Sequence, residues 1–217
     1  MRDLLVKEAT LSASTISYFF IAFGLMFLLP GYPILCGAFF SCLGIFQSFQ
    51  GAREANDLVF SALLPVPKRD VARAKVLFAC IVELCALLVM AAATVVRMTA
   101  LADSPVYLEN ALMNANPFAL GAASVLFGLF NLVFVAGFFR TSFKLGRPFV
   151  AFAVVAFLVI GVSEALHHVP GLEALNAFGL SHLPLQLGLL AAGAACYIVL
   201  TGIALTSAAA SFEDTDL

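Results

Sequence analysis

Charge is what this chain has least of. Only 11% of its 217 residues are charged, against 63% hydrophobic, whereas soluble domains carry about 25% charged and roughly 45–50% apolar residues. Too few polar side chains are present to cover a soluble fold, and the mean hydropathy of +1.06 agrees. The apolar runs are continuous rather than alternating. Several approach or exceed the ~18–20 residues that span a bilayer as a helix, and only helices or closed barrels satisfy their backbone in lipid. The fold class is therefore all-α integral membrane protein. Other absences narrow the function. No G-x-x-x-x-G-K-[ST] loop is present to hold nucleotide phosphates, and no H-E-x-x-H or C-x-x-C to hold a metal. Asp is missing from every apolar run and no Ser/His/Asp set lies within one, which removes the intramembrane proteases. The five cysteines (Cys36, Cys42, Cys80, Cys85, Cys196) all fall inside apolar runs and read as small buried hydrophobes. The first apolar run leads into PGYP and a second span rather than an A-x-A site, so no cleaved leader is expected. Neither a nucleic-acid partner nor a cofactor held by this chain is expected.

What is present orders itself around six runs. The spans are expected at Ser14–Leu29, Ile34–Phe49, Val76–Val96, Pro117–Phe139, Pro148–Val162 and Leu183–Ala208. Before them, Met1–Leu11 mixes Arg2, Asp3, Lys7 and Glu8 with Leu4, Leu5, Val6 and Leu11. It reads either as a helix at the membrane surface or as an ordinary polar terminus. Pro30-Gly31-Tyr32-Pro33 makes the first two spans a tight hairpin. Arg97–Asn116 is a polar loop with a short surface helix at Val106–Met113, and Phe212–Leu217 is an acidic, frayed tail. With the N-terminus in the cytosol, ten of the eleven Lys and Arg residues fall on the inner side and only Arg97 outside. That is a positive-inside pattern with six spans and both termini cytosolic. Neither inner loop is long enough for a catalytic domain, so work against a gradient must draw on a partner or an ion.

Few residues inside the spans carry chemistry. Glu83 lies in the third span, where a central acid costs roughly 2.5–3.5 kcal/mol on insertion scales. It reads as a vestibule group, a helix lock, or a residue near enough to the interface to reach water. Glu164, His167 and His168 form E-x-x-H-H at the outer end of the fifth span, readable as metal ligands or as an interfacial polar cap. A stand-alone membrane enzyme or ion-coupled transporter would use these residues or Glu83. The 22 phenylalanines are either lipid-facing bulk and helix packing or the wall of an apolar cavity. Gly188, Gly193 and their alanine neighbours suit the sixth span to tight packing within the subunit. Ala151, Ala153 and Ala156 with Gly24 suit a dimer contact.

The longest polar interruption is Gln50–Lys75, which holds Arg53, Lys68, Arg69, Arg73 and Lys75. It cannot sit in hydrocarbon and reads as a cytosolic elbow. The run Ser61-Ala62-Leu63-Leu64-Pro65-Val66-Pro67-Lys68-Arg69-Asp70-Val71, with Lys75 opening a span, resembles six-helix ABC transporter permeases of the exporter type. In these the loop between spans two and three reads as a polar helix, then S-L-P-V-x-R-x-x-(I/V), then Lys. Ser61, Leu64, Pro65, Val66, Arg69, Val71 and Lys75 match. Leu63 is an insertion and Pro67-Lys68 a departure. The branch it most resembles exports phenol-soluble modulins, amphipathic cytolytic peptides. The resemblance implies a permease over residues 1–217 with a coupling segment at 51–75, multi-pass in a bacterial plasma membrane. It implies pairing with a second copy or a paralogue, contact with membrane lipid, and no catalysis by this chain. ATP and Mg would sit on a separate cytosolic subunit. Arg53, Glu54, Asn56, Asp57, Leu58, Val59, Phe60 and Ser61 would form the ATPase-coupling interface, with Arg53–Phe60 a short helix. Leu58, Val59 and Phe60 would seat in a cleft, with Arg53, Glu54 and Asp57 at its rim. Pro65 and Pro67 would stiffen the link to span three.

Overall fold

The computed structural model describes residues 1–13 and 15–215. Ser14, the expected start of the first span, and the last two residues of the acidic tail lie outside them. The described residues are helical, with no strand among them. The N-terminal segment is a helix, α1, running Arg2–Lys7 and then one π turn Glu8–Ser12. It meets the next helix, α2 (Thr15–Phe19 continued as a 3₁₀ helix Phe20–Leu28), at 97°. A 3₁₀ helix rises ~2.0 Å per residue against 1.5 Å for an α-helix, so Thr15–Leu28 reaches about 25 Å where an α-helix would reach about 21 Å.

Three glycines seat α2 against its neighbours. A Cβ on Gly44 would lie 2.5 Å from Phe20 Cβ, one on Gly37 2.6 Å from the Phe23 carbonyl, and one on Gly24 3.0 Å from Val89 Cγ1. Gly24 is thus used inside the subunit and not at the dimer contact expected for it. Ala156, assigned to the same contact, is likewise buried within the chain.

Helix α3 covers Cys36–Glu54 and α4 Asp57–Ala62. Between them Asn56 adopts φ 51°, a left-handed conformation that Asn tolerates better than most residues. The expected continuous helix Arg53–Phe60 is therefore two helices with a kink at Asn56. Pro65 and Pro67 end the elbow, and α5 runs Lys68–Met98, 31 residues. It begins eight residues before the expected span, so Lys68–Lys75 is helix rather than loop. One turn, α6 (Pro105–Leu108), replaces the helix expected at Val106–Met113. The Asn110 side chain accepts from the Leu112 and Gly31 backbone N–H groups and diverts the chain there.

Helix α7 spans Pro117–Arg140. Asn116 caps it by accepting from Ala119 N, with Pro117 in its first turn, and a π turn interrupts it at Phe130–Val135. Helix α8 is Gly146–Leu166 and α9 is Leu183–Glu213. Among the described residues four helices are long and apolar enough to cross a membrane, α5, α7, α8 and α9, or five if α1 and α2 count as one bent span. The second expected span, Ile34–Phe49, is not among them. Its helix starts at Cys36 and ends in Gln50, Arg53 and Glu54.

The core is aromatic. Phe127, Phe130, Phe134, Phe138, Phe139 and Phe152 are fully buried, and their rings meet edge-on or stacked, as at Phe130–Phe134 (4.9 Å) and Phe49–Phe138 (5.1 Å). These rings pack the helices together rather than lining a cavity. Phe157 of α8 faces outward, at 61% exposure. Helices α7 and α9 make the closest approach: a Cβ on Gly193 would fall on the Gly121 backbone, as the small residues of the sixth span imply.

Candidate functional site

The elbow is held by a closed ring of charges. Lys7 Nζ lies 2.8 Å from Asp57 Oδ1 and 3.0 Å from Glu8 Oε1, and Lys75 Nζ lies 3.0 Å from Asp57 Oδ2 and 2.6 Å from Glu8 Oε2. Lys7 also donates to Ser61 Oγ at 2.7 Å, and Lys75 sits over the Phe49 ring. Two cations and two anions from α1, α4 and α5 thus alternate around one closed circuit. Lys75 and Glu8 are each 2% exposed. Such a ring adds little net stability over apolar packing, but removing one member leaves a buried charge uncompensated. Lys7, Asp57 and Lys75 come together because Asn56 turns the chain back, placing Asp57 in the first turn of α4 opposite α1.

Electrostatics follow from the geometry. Burial alone would push the Asp57 carboxyl up. The Lys75 charge and the hydrogen bonds from Lys7 and Lys75 outweigh it and hold Asp57 below its ordinary value of 3.8. Burial alone would lower Lys7. Its hydrogen bond to Asp57 and the charge of Glu8 outweigh it and raise Lys7 above 10.5. A depressed acid contributes stability above its unfolded pKa and loses it as pH falls through the folded one. A raised amine contributes below its unfolded pKa and loses it as pH rises through the folded one. The thermal midpoint of the full chain in detergent is therefore expected to hold level between the two, falling on acidification below 3.8 and on alkalinisation above 10.5. Asp57→Asn should remove the acid limb. An unchanged acid limb in that variant would show that other carboxylates set it.

The other face of the elbow is open. Val59, Phe60 and Leu63 are 48%, 59% and 81% exposed, one apolar edge of a single turn. Arg53, Glu54, Asn56 and Pro65 are exposed beside it, and Gln50 donates to Glu54 at 3.0 Å. A cleft of about 310 Å³ runs alongside, lined by Met1, Leu4, Lys7, Phe60, Leu64 and Val66 among others. Of the residues expected to meet a partner, Asp57, Leu58 and Ser61 instead turn inward. Leu58 is 5% exposed and Ser61 fully buried. Asp57 is not a rim residue because two lysines hold it. The elbow is further clipped to the end of α9, where Lys68 Nζ donates to Thr215 O at 2.8 Å and Arg69 lies 3.9 Å from Glu213.

Glu83 stands midway along α5. It is fully buried, and its Oε2 accepts from Asn131 Nδ2 (2.9 Å) and Tyr197 OH (2.8 Å). Asn131 also donates to Thr201 Oγ1 at 3.1 Å. The structure therefore excludes a Glu83 that reaches water. It joins α5 to the π turn of α7 and to α9, and π turns recur at functional positions. A lone Asn in an apolar run, and Tyr197 and Thr201 one turn apart, were the sequence signals for its partners. Glu164 and His167 hold the segment around Ala111 and Met113. Glu164 Oε2 accepts from Met113 N at 2.9 Å, and His167 Nε2 lies 3.4 Å from Ala111 O. Among the described residues no group of three or more His, Cys, Asp and Glu could hold a metal.

Neither the curated proteins nor the solved structures give a match to the chain. The family described as ABC-2 family transporter protein matches residues 2–212, a span that takes in α1, the charge ring and the whole bundle. The chain belongs to this family of ABC transporter membrane permeases.

Proposed function

We propose that the chain is one permease half of an ATP-driven exporter of amphipathic cargo such as a peptide, crossing a bacterial plasma membrane six times with both termini in the cytosol. One observation supports this reading most. The apolar edge Val59, Phe60 and Leu63 stands exposed at the end of the molecule that carries ten of the eleven cations, backed by the Lys7–Asp57–Lys75–Glu8 ring. An apolar edge in water, braced from behind, suits the seating of a rigid partner. The partner is a separate cytosolic ATP-binding subunit that carries ATP and Mg, and closure of two such subunits pushes on the elbows of two permeases. The push enters α5 through its first turns, because Pro65 and Pro67 deny the link a floppy joint. The contacts of α1 and of the end of α9 with the elbow support termini that share its side of the bundle. The cargo class rests on the resemblance of the elbow motif to the peptide exporters. Arg69 and Arg73, at headgroup level, meet anionic lipid.

The test separates the outward from the inward face of the elbow. Phe60→Asp, which touches nothing inside the chain's charge ring, should abolish co-purification of the ATP-binding subunit in mild detergent. The variant chain should keep the yield and thermal midpoint of the parent. Stoichiometric recovery of an ATPase with Phe60→Asp would overturn the docking reading. Cargo and direction are read separately, by ATP-dependent uptake of labelled amphipathic peptide into inverted vesicles.

A further inference from the structure

The positive-inside pattern leaves one cation on the far side, and it is the most enclosed in the chain. Arg97, in the last turn of α5, is fully buried. Its Nη1 donates to Phe27 O at 3.1 Å and its Nη2 to Asn114 Oδ1 at 2.8 Å. The guanidinium carbon stands 4.2 Å from the centre of the Tyr107 ring and 5.9 Å from that of Phe178. Every one of these partners is neutral, and no ion pair among the described residues includes Arg97. Its Nε is buried with no acceptor. A guanidinium does not shed its proton inside a protein, so the outer end of the bundle encloses a full positive charge with no anion against it. The segment over it is held by one carboxylate, Glu164, which accepts from Met113 N at 2.9 Å, and otherwise by uncharged contacts. Asn114 N donates to Asn176 Oδ1 at 2.7 Å, Asn116 Nδ2 to Leu175 O at 2.8 Å, and Tyr107 OH to Leu28 O at 2.9 Å. In the same segment, Asn110 Nδ2 is a second buried donor without an acceptor.

Topology does not explain an arginine here, because the charge bias of the chain disfavours it on this side. Folding explains only part of it. The negative end of the α5 dipole and the Tyr107 face answer part of the charge, and the guanidinium bonds both Phe27 O and Asn114 Oδ1, yet its Nε stays buried with no acceptor. We infer that Arg97 is a receptor for an oxyanion, a carboxylate or phosphate group, which it takes on the outer side when segment 99–116 lifts. The fork geometry is suited to it. Two of five N–H donors are engaged in the closed arrangement, and the buried Nε–H is left for an oxyanion that enters once the segment lifts. The group arrives either on the departing cargo or on a lipid headgroup. The designation of this end as outer rests on the transport reading above. The test does not, since it uses neither ATP nor a partner subunit.

The full chain in phosphate-free maltoside micelles is titrated with inorganic phosphate, with acetate and with short-chain phosphatidylglycerol, at constant ionic strength. Hydrogen exchange of residues 99–116 is read throughout. A saturable change in exchange is expected for the parent chain, at least tenfold weaker in Arg97→Lys, which lacks the fork, and absent in Arg97→Gln. Saturation with all three probes, or with the free anions only, or with the lipid only, each supports the site and assigns its source. Flat titrations of the parent chain overturn it without recourse to any variant. So does a response of equal midpoint in Arg97→Gln. If Arg97 were only a staple, Arg97→Gln would loosen 99–116 by the same amount with and without anion.

Discussion

Lys75→Met should lower the thermal midpoint of the chain by on the order of 10 °C and abolish ATPase-driven transport together. The substitution keeps the length and apolar stem of the side chain but removes one cation from the ring. Glu8 and Asp57, 2.6 and 3.0 Å from Lys75 Nζ, would then share Lys7 alone. Glu8 is 2% exposed, so water cannot take over. Breaking a buried ion group by deleting one partner costs about 3–5 kcal/mol, and 1 kcal/mol moves the midpoint of a domain this size by roughly 2–4 °C. The loss lands on the joint between α1, α4 and α5, which is where a push on the elbow would have to pass. The paired change Lys75→Met with Glu8→Gln is the discriminating control. It restores charge balance, leaving Lys7 against Asp57 at 2.8 Å, and should recover at least half the midpoint. If the single variant melts within 2 °C of the parent, the ring does not hold the elbow. If the double variant is no better than the single, packing of the lysine stem and not charge is what was lost.

The second large effect is expected at the α7–α9 crossing. Gly193→Val should prevent recovery of monodisperse protein, and Gly193→Ala should lower the midpoint measurably. Any Cβ at 193 lands on the Gly121 carbonyl, Cα and carbonyl carbon, which are backbone atoms that cannot swing aside. Overpacking typically costs 1–3 kcal/mol when side chains can give way, and the cost rises where only helix separation relieves it. Gly188→Ala and Gly202→Ala on the same helix serve as controls, because a Cβ at either meets nothing within 4 Å. There the better helix propensity of Ala, worth up to ~1 kcal/mol over Gly, should leave stability unchanged or slightly higher. Equal behaviour of Gly193→Ala and Gly188→Ala would mean that the helices do not meet at Gly121.

These two sites differ in how far they could be read from the residues alone. The close packing of the last span was legible, because glycine and alanine in an apolar run have few other uses. Which glycine makes the contact was not, since Gly188 and Gly193 look alike until the register of α9 on α7 is set. Helices α5, α7, α8 and α9 were legible as continuous apolar runs, within about five residues at their ends except at the start of α5, which lies eight residues earlier than expected. The 3₁₀ stretch Phe20–Leu28 was not, because no residue in FIAFGLMFL distinguishes the two helices locally. What selects the stretch is the fit of the Phe20 and Phe23 turns onto Gly44 and Gly37. At the elbow the motif was visible but its orientation was hidden. Asp57 looks like a surface residue until Lys7, 50 positions away, is brought against it. Glu83 was conspicuous. Its partners Asn131 and Tyr197 were 48 and 114 residues distant, so only tertiary structure could name them.

Glu83 has one more property, which belongs to α5 as a whole. The helix runs 31 residues, Lys68 to Met98, about 46 Å, and Glu83 stands midway along it. Hydrogen bonds to two other helices hold it at that point, while Lys75 ties the near arm to the elbow and Arg97 ties the far arm to the outer segment. A stiff rod held at its middle is a lever with a fulcrum. Tilting it by about 10° carries its two ends roughly 4 Å in opposite senses. A tilt about Glu83 that carried the elbow end toward the bundle axis would carry the Arg97 end away from it, and away from Asn114 and Phe27.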